Sequence, residues 1–226
     1  MAKLMFNSLL RAFMQTYLQM TLAMWTSLRY TNLHTSSGRI DFVLFLVTFA
    51  YALSFILFSY KFLKRNKDNL RNPQFKLKYD SLYQNLEYFK MGALSNTSFF
   101  LCRRILFAAL IVFGEGYLVF QVMAADVLST LLLIFFITQR PMIDVWNNFV
   151  QIFNELVVLV CVWFLFHYSD YVVNPETRYD LAYYFLYIVA TDIAINILFL
   201  VYMIIKKIYM ACRSFFQKRK AKNTLN

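Results

Sequence analysis

Long apolar stretches, separated by short polar segments, set the pattern of this chain. The clearest is residues 42–60, nineteen consecutive positions without an aspartate, glutamate, lysine, arginine or histidine. A helix needs about 20 mainly apolar residues to cross a hydrocarbon core about 30 Å thick. The pattern recurs and predicts spanning helices at about residues 41–62, 99–114, 117–138, 147–167 and 181–206. We therefore predict an all-α fold, a polytopic membrane helix bundle with five transmembrane helices.

The first helix candidate, residues 4–28, is amphipathic rather than uniformly apolar. Its apolar positions recur at helical spacing at Phe6, Leu9, Leu10, Phe13, Tyr17, Met20 and Met24. Its polar positions share the opposite face at Asn7, Ser8, Arg11, Gln15 and Gln19. This pattern predicts an interfacial helix in the headgroup plane, within a segment 1–39 that precedes a transmembrane bundle at 40–207. A sixth transmembrane helix is the alternative interpretation of the same residues.

Basic residues flank the apolar stretches, and their distribution predicts the topology. Residues 61–90 hold eight Lys or Arg against three acids, and residues 206–226 hold seven Lys or Arg and no acid. Under the positive-inside rule, the amphipathic loop 63–98 and the basic tail 208–226 lie in the cytoplasm or its equivalent. The net charge of +11 is thus typical of a membrane protein, and no nucleic acid is expected as a partner. The tail is expected to attract anionic lipid.

Polar side chains inside the predicted spans are the candidates for a functional site, because each ionisable one costs roughly 2.5–3.5 kcal/mol to insert. They are Arg103, Arg104, Asp126, Asn148, Gln151, Asn154, Glu155, Asp192 and Asn196. Their depths, measured from the two ends of the spans, predict that Arg104 pairs with Glu155 and that Asn196 lies nearby. Asn148, Gln151 and Glu155 form one stripe on the fourth span, and this stripe is expected to face the bundle interior.

These side chains have two main interpretations. Contacts between helices are favoured, because polar contacts replace the missing hydrophobic driving force in lipid. The alternative is an ion or proton path through Asp126 and Asp192, which both fall near the midplane of their spans. Catalysis has the least support, since the sequence holds no HExxH, GxSxG or Gly-rich phosphate loop. We predict no catalytic residue, cofactor or metal, and the three cysteines show no disulfide or metal-binding spacing.

Several short strings follow one another in a defined order along the chain. They are Leu77–Tyr83 (LKYDSLY), Arg103–Ala108 (RRILFA), Arg140-Pro141, Asn148–Glu155 (NFVQIFNE) and Phe166–Tyr179 (FHYSDYVVNPETRY). Their order and spacing resemble the C-terminal multi-pass membrane domain of large ciliate surface proteins, a group distantly similar to TRP-like channel proteins. In that group the first string often reads K-[YF]-G-x-L-Y-E-G-L. Here Asp80 replaces the first Gly of that pattern, and Gln84-Asn85 replaces its Glu-Gly.

The resemblance implies a surface or ciliary membrane and participation in an assembly. Together with the small extramembrane mass, it favours a non-enzymatic multi-pass membrane subunit or anchor of a larger complex, with lipid and other membrane protein subunits as partners. A TRP-like cation channel or transporter subunit is the first alternative. A TRP-type pore is disfavoured, because the loop of about thirteen residues before the last span has no apolar pore helix. A subunit of an energy-transducing complex in the mitochondrial inner membrane is the second alternative.

Overall fold

The computed structural model describes residues 2–87, 89–167 and 174–223. Helices are the only regular elements in these residues, and one isolated backbone bridge joins Leu86 to Met142. Eight α-helices and one 3-10 helix follow in order: α1 (Ala2–Tyr30), α2 (Ser36–Arg65), the 3-10 helix (Lys67–Arg71), α3 (Pro73–Tyr83), α4 (Met91–Leu94), α5 (Asn96–Phe113), α6 (Leu118–Gln139), α7 (Val145–His167) and α8 (Pro175–Asn223). The chain divides into a first unit, Met1–Tyr171, and a second unit, Val172–Asn226.

Five helices are long and apolar enough to cross a membrane, namely α2, α5, α6, α7 and the segment Pro175–Met210 of α8. The predicted all-α class and the five predicted spans are thereby confirmed. The chain is an integral membrane protein by the length and composition of its helices. In the second unit, α8 continues without a break through most of the predicted basic tail and ends at Asn223.

Two of the predicted breaks have clear local causes. Gly114 closes the C-terminus of α5, and Gly116, with a φ of +91°, turns the chain into α6. A φ in this region strains residues that carry a Cβ atom, so glycine suits the tight hairpin between the two helices. On the other side of the bundle, α6 ends at Gln139 and is followed by Arg140 and Pro141, and Pro141 cannot donate a helical hydrogen bond.

In the first unit, α1 lies lengthwise against α2. The ring of Phe13 packs on that of Phe55 at a centroid distance of 4.7 Å, and the ring of Trp25 packs on that of Phe45 at 5.9 Å. Because the residue numbers rise along α1 while those of its partners fall, the two helices are antiparallel. A helix in the headgroup plane would cross α2 at one level only. The contacts therefore place α1 along a spanning helix, although α1 is not among the five helices that are long and apolar enough to cross a membrane.

Hydrogen bonds hold α1 parallel to α5 on its other side. Trp25 Nε1 donates to the carbonyl oxygen of Ile105 at 3.1 Å, and the guanidinium of Arg29 donates to the carbonyl oxygen of Val112. The stretch between Arg11 and Arg29 holds no charged residue. At about 1.5 Å per residue it extends for about 25 Å, most of the thickness of a hydrocarbon core. The amphipathic pattern of α1 thus belongs to a helix whose polar groups bind other helices.

This packing predicts the membrane side of both ends of α1. Met5 and Leu33 are 63% and 54% exposed and lie near the two ends of α1, so a helix that follows α2 across the membrane would put them on opposite sides. We expect a membrane-impermeant maleimide to label Met5→Cys and Leu33→Cys from opposite faces of sealed vesicles, in a chain whose own cysteines are replaced by serine. Labelling of both from one face would contradict the lengthwise packing.

The loop after α2 packs on protein and forms a small apolar core of its own. Leu63, Leu70, Leu82, Tyr83 and Leu86 are buried against one another. Tyr83 Oη donates to the carbonyl oxygen of Leu70 at 3.2 Å, and Thr97 Oγ1 donates to that of Leu82 at 2.6 Å. The predicted amphipathic loop 63–98 therefore turns part of its apolar face to the protein.

Asn85 joins this loop to the turn between α6 and α7. Its carbonyl oxygen accepts from the Ile143 amide at 2.9 Å, and the Glu87 amide donates to the carbonyl oxygen of Pro141 at 2.8 Å. Asn85 has a φ of 62°, in the left-handed region that glycine and asparagine adopt most readily. It occupies the position at which the resembling pattern has glycine.

Asn85 offers a matched pair of substitutions. We expect Asn85→Val to lower the midpoint of thermal unfolding, because a β-branched side chain at this φ adds roughly 1–2 kcal/mol of strain. Asn85→Gly is expected to leave the midpoint nearly unchanged, since glycine adopts this φ without strain. Circular dichroism of both variants in one detergent measures the difference. Equal midpoints would contradict the strained backbone.

Candidate functional site

The candidate site is built around α5. Four side chains at helical spacing, Leu101, Ile105, Ala108 and Val112, are buried and fix the rotation of this helix about its axis. Arg103 lies in the same helix, next to Arg104. Successive residues of an α-helix are turned by about 100°. The two arginines therefore contact different neighbours.

Arg103 contacts α6 and α7. Its Nη1 donates to Glu155 Oε1 at 2.5 Å, and its Nη2 lies 3.5 Å from Ser129 Oγ. The side chains of Arg103 and Glu155 are 24% and 12% exposed. The second carboxylate oxygen, Glu155 Oε2, is buried and has no hydrogen-bond partner among the described residues. The pair joins α5 to α7 at a position where water could hardly solvate either charge if its partner were removed.

Arg104 contacts α1 instead. Its Nη1 donates to the carbonyl oxygen of Met14 at 2.5 Å, and its guanidinium carbon lies 4.1 Å from the centre of the Phe100 ring. The predicted pair of Arg104 with Glu155 is therefore wrong, and Arg103 is the partner. Depth along a helix distinguishes the two arginines by only about 1.5 Å, whereas the direction of the side chain differs by about 100°.

These side chains line a cavity of about 460 Å³ in the first unit. Its walls come from α1, α3 and the loop after it, α5, α6 and α7. Its charged lining residues are Arg11, Arg103, Arg104 and Glu155. Its uncharged polar lining residues are Gln15, Ser81, Gln84, Asn96, Thr97, Gln151 and Asn154. Three guanidiniums against one carboxylate give the cavity an excess of positive charge.

The polar stripe of α7 faces this part of the unit. Asn148 is buried, and its side chain closes the turn before α7: Oδ1 accepts from the Met142 amide at 2.9 Å, and Nδ2 donates to the Met142 carbonyl oxygen at 2.8 Å. Gln151, Asn154 and Glu155 line the cavity one and two turns further along. The stripe thus combines a turn closure, the cavity wall and an ion pair.

The cavity also contains residues that we did not predict as part of a site. Arg11 and Gln15 come from α1, whose polar face we assigned to the headgroups, and Gln84 and Asn96 lie outside the predicted spans. Arg11 Nη2 donates to Gln84 Oε1 at 3.1 Å. The polar face of residues 4–28 was the sequence feature that could have indicated these residues, because part of that face contacts protein in the structure.

The two acids near the middle of the predicted spans have separate partners. In the first unit, Asp126 Oδ1 accepts from Trp163 Nε1 at 2.9 Å, which joins α6 to α7. In the second unit, Asn196 Nδ2 donates to the Asp192 carbonyl oxygen at 2.9 Å and lies 3.3 Å from Asp192 Oδ1. Each acid therefore has a hydrogen-bond donor within its own unit.

A second cavity, of about 530 Å³, lies at the other end of α5. Arg29 and Glu115 line it and form an ion pair at 2.6 Å. One positive and one negative side chain leave no excess charge here, in contrast to the cavity around Arg104.

The fold and the site define the class of this protein as a polytopic helical membrane protein with a positively charged cavity in its first unit. No group of His, Cys, Asp or Glu suited to a metal ion occurs in the part of the chain that the structure describes. Comparison with protein-family models, curated proteins and solved structures found no match. The resemblance to ciliate surface proteins stays a prediction, and residues 168–173 of its last string lie outside the described residues.

Proposed function

We propose that this protein is a non-enzymatic, multi-pass membrane subunit or anchor of a larger membrane protein complex. One observation carries the proposal: ionisable side chains within the spans of the first unit bind neighbouring helices. Arg103 pairs with Glu155, Arg104 binds a carbonyl oxygen of α1, and Asp126 binds Trp163. Side chains with these partners hold a bundle together, which is the role of an architectural subunit.

The outer face of α2 is a candidate surface for a partner within the membrane. Val43, Val47 and Phe58 are each more than half exposed, and Ala52 on the opposite face is fully buried. Helices associate in lipid through close side-chain packing, so an exposed face of this kind accepts either lipid or another helix. We favour another helix, because the resemblance described above implies participation in an assembly.

Photo-crosslinking in native membranes tests this proposal. We expect benzoylphenylalanine at Val47, which is 62% exposed, to yield one protein adduct of defined mass. The same probe at Leu101, which is fully buried, is the matched control and should yield no adduct with another chain. Mild-detergent purification followed by native mass spectrometry should recover the same partner in fixed ratio. A stable monomer without any adduct would overturn the proposal, and a ring of identical chains that conducts cations would favour the channel alternative.

A further inference from the structure

We propose that the cavity around Arg104 binds a phosphate-bearing polar group, the chemistry shared by a phospholipid headgroup and a soluble organophosphate. This proposal goes beyond the proposed role as a subunit. All residues of the site belong to one chain, so binding does not require the complex. The cavity volume of about 460 Å³ falls within the range of about 300–1,000 Å³ that is typical of small-molecule sites.

The charges of the cavity define the sign of its ligand. Glu155 balances Arg103 through the ion pair at 2.5 Å, which leaves the guanidiniums of Arg11 and Arg104 without a carboxylate among the lining residues. A guanidinium offers five N–H donors in a planar fork that matches the oxygens of a phosphate. The bonds of Arg11 to Gln84 and of Arg104 to Met14 each use a single nitrogen of the fork. Both arginines therefore retain donors for an anion.

The remaining lining residues favour a ligand that is polar beyond its phosphate. Gln15, Gln84, Asn96 and Gln151 contribute amides that both donate and accept hydrogen bonds. Phe100, Leu132 and Phe136 contribute apolar surface to the same cavity. Hydroxyl groups on a phosphorylated headgroup would satisfy the amides, and an adjoining glycerol or acyl segment would contact the apolar side chains.

The cavity lies toward the end of α5 that follows the loop 63–98, the end that the positive-inside rule assigns to the cytoplasm. Arg103 and Arg104 lie about two turns from the start of α5, or roughly 10–12 Å along the helix axis. Ser81 and Gln84, on the loop that the positive-inside rule assigns to the cytoplasm, line the cavity. Arg11 and Gln15 are exposed residues of α1 and border the entrance. A phosphate at the inner leaflet, or in the adjoining solution, would reach both arginines from this side.

Three variants of the full chain separate this site from general surface charge. Arg11→Gln removes a guanidinium at the entrance, and we expect it to weaken binding about tenfold, as for the loss of one charge-assisted hydrogen bond. Gln15→Trp keeps every charge but fills the entrance, and it is expected to weaken binding at least as much. Arg65→Gln is the matched control. Arg65 is an exposed arginine at the C-terminal end of α2, and it does not line the cavity. Arg65→Gln should change affinity less than twofold.

Binding is measured on purified protein in phosphatidylcholine nanodiscs, with and without phosphatidylinositol phosphate. Soluble inositol phosphate and inorganic phosphate are titrated in parallel, and native mass spectrometry identifies the bound species by mass. Saturable binding that is lost in Arg11→Gln and Gln15→Trp but kept in Arg65→Gln supports the site. Whichever of the lipid, the soluble inositol phosphate and inorganic phosphate shows this dependence on the variants is identified as the ligand. Equal weakening by Arg11→Gln and Arg65→Gln would assign binding to diffuse charge and overturn the proposal, as would the absence of saturable binding to every probe.

Discussion

Replacement of Glu155 by leucine is expected to destabilise the first unit by about 3 kcal/mol. The change leaves Arg103 charged at membrane depth without its carboxylate, and removal of one partner from a buried pair typically costs about 3–5 kcal/mol. We take the lower value because the Arg103 side chain retains 24% exposure. Arg103→Leu is expected to be destabilising as well, because it leaves the Glu155 side chain, which is 12% exposed, without its ion-pair partner. The double variant should recover most of the loss.

The ion pair of Lys90 with Glu87 provides the control for this cycle. Its nitrogen and oxygen are 2.8 Å apart, close to the separation in the Arg103–Glu155 pair, but its side chains are 50% and 33% exposed. Lys90→Leu should shift stability by no more than about 0.5 kcal/mol, as for exposed pairs three residues apart. Thermal unfolding of all variants in one detergent measures the coupling. If the effects of Arg103→Leu and Glu155→Leu simply add, the two side chains do not act as a pair.

The second large effect is expected at Tyr17, at the centre of the contact between α1 and α2. Tyr17 is fully buried, and its hydroxyl donates to the carbonyl oxygen of Ala52 at 3.3 Å. Tyr17→Ala removes a buried ring and should cost about 3–5 kcal/mol. Tyr17→Phe retains the ring and should cost about 1 kcal/mol for the lost hydrogen bond. Both are measured as shifts in the midpoint of thermal unfolding.

Tyr30 supplies the matched control on the same helix. It is 70% exposed, so Tyr30→Ala should change stability by less than about 0.5 kcal/mol. A helix that rested in the headgroup plane would give similarly small effects at Tyr17 and Tyr30. That result would contradict the lengthwise packing of α1.

The spans could be predicted from the sequence because each depends on the transfer free energy of its own residues. The contacts of the site could not be predicted in the same way. Arg103 and Arg104 lie at nearly the same depth, and only the rotation of α5, fixed by its buried apolar face, decides which one reaches Glu155. That rotation depends on neighbouring helices that are distant in sequence.

The position of α1 shows the same limit from another direction. Hydrophobic periodicity indicates which face of a helix is apolar, but it does not indicate whether lipid or protein covers that face. From the sequence, the polar side chains of α1 suit lipid headgroups as well as they suit protein. The structure shows that Arg11 binds Gln84 and that Trp25 binds the carbonyl oxygen of Ile105. The loop after α3 is similar, since Leu82 and Leu86 are buried by parts of the chain on both sides of them.

The separation of 80 residues between Trp25 and Ile105 has a consequence for biosynthesis. At about 5–20 residues per second, the ribosome needs roughly 4–16 s to add the part of the chain that completes the environment of α1. Within this interval α2 is completed before α5, so the carbonyl acceptors of Trp25 and Arg29 do not yet exist when α2 is already available. The headgroup plane accommodates an amphipathic helix in this state, so we expect the nascent α1 to lie there until α5 has been synthesised. The hydrogen bonds of Trp25 and Arg29 to α5 can form only after α5 has been added to the chain.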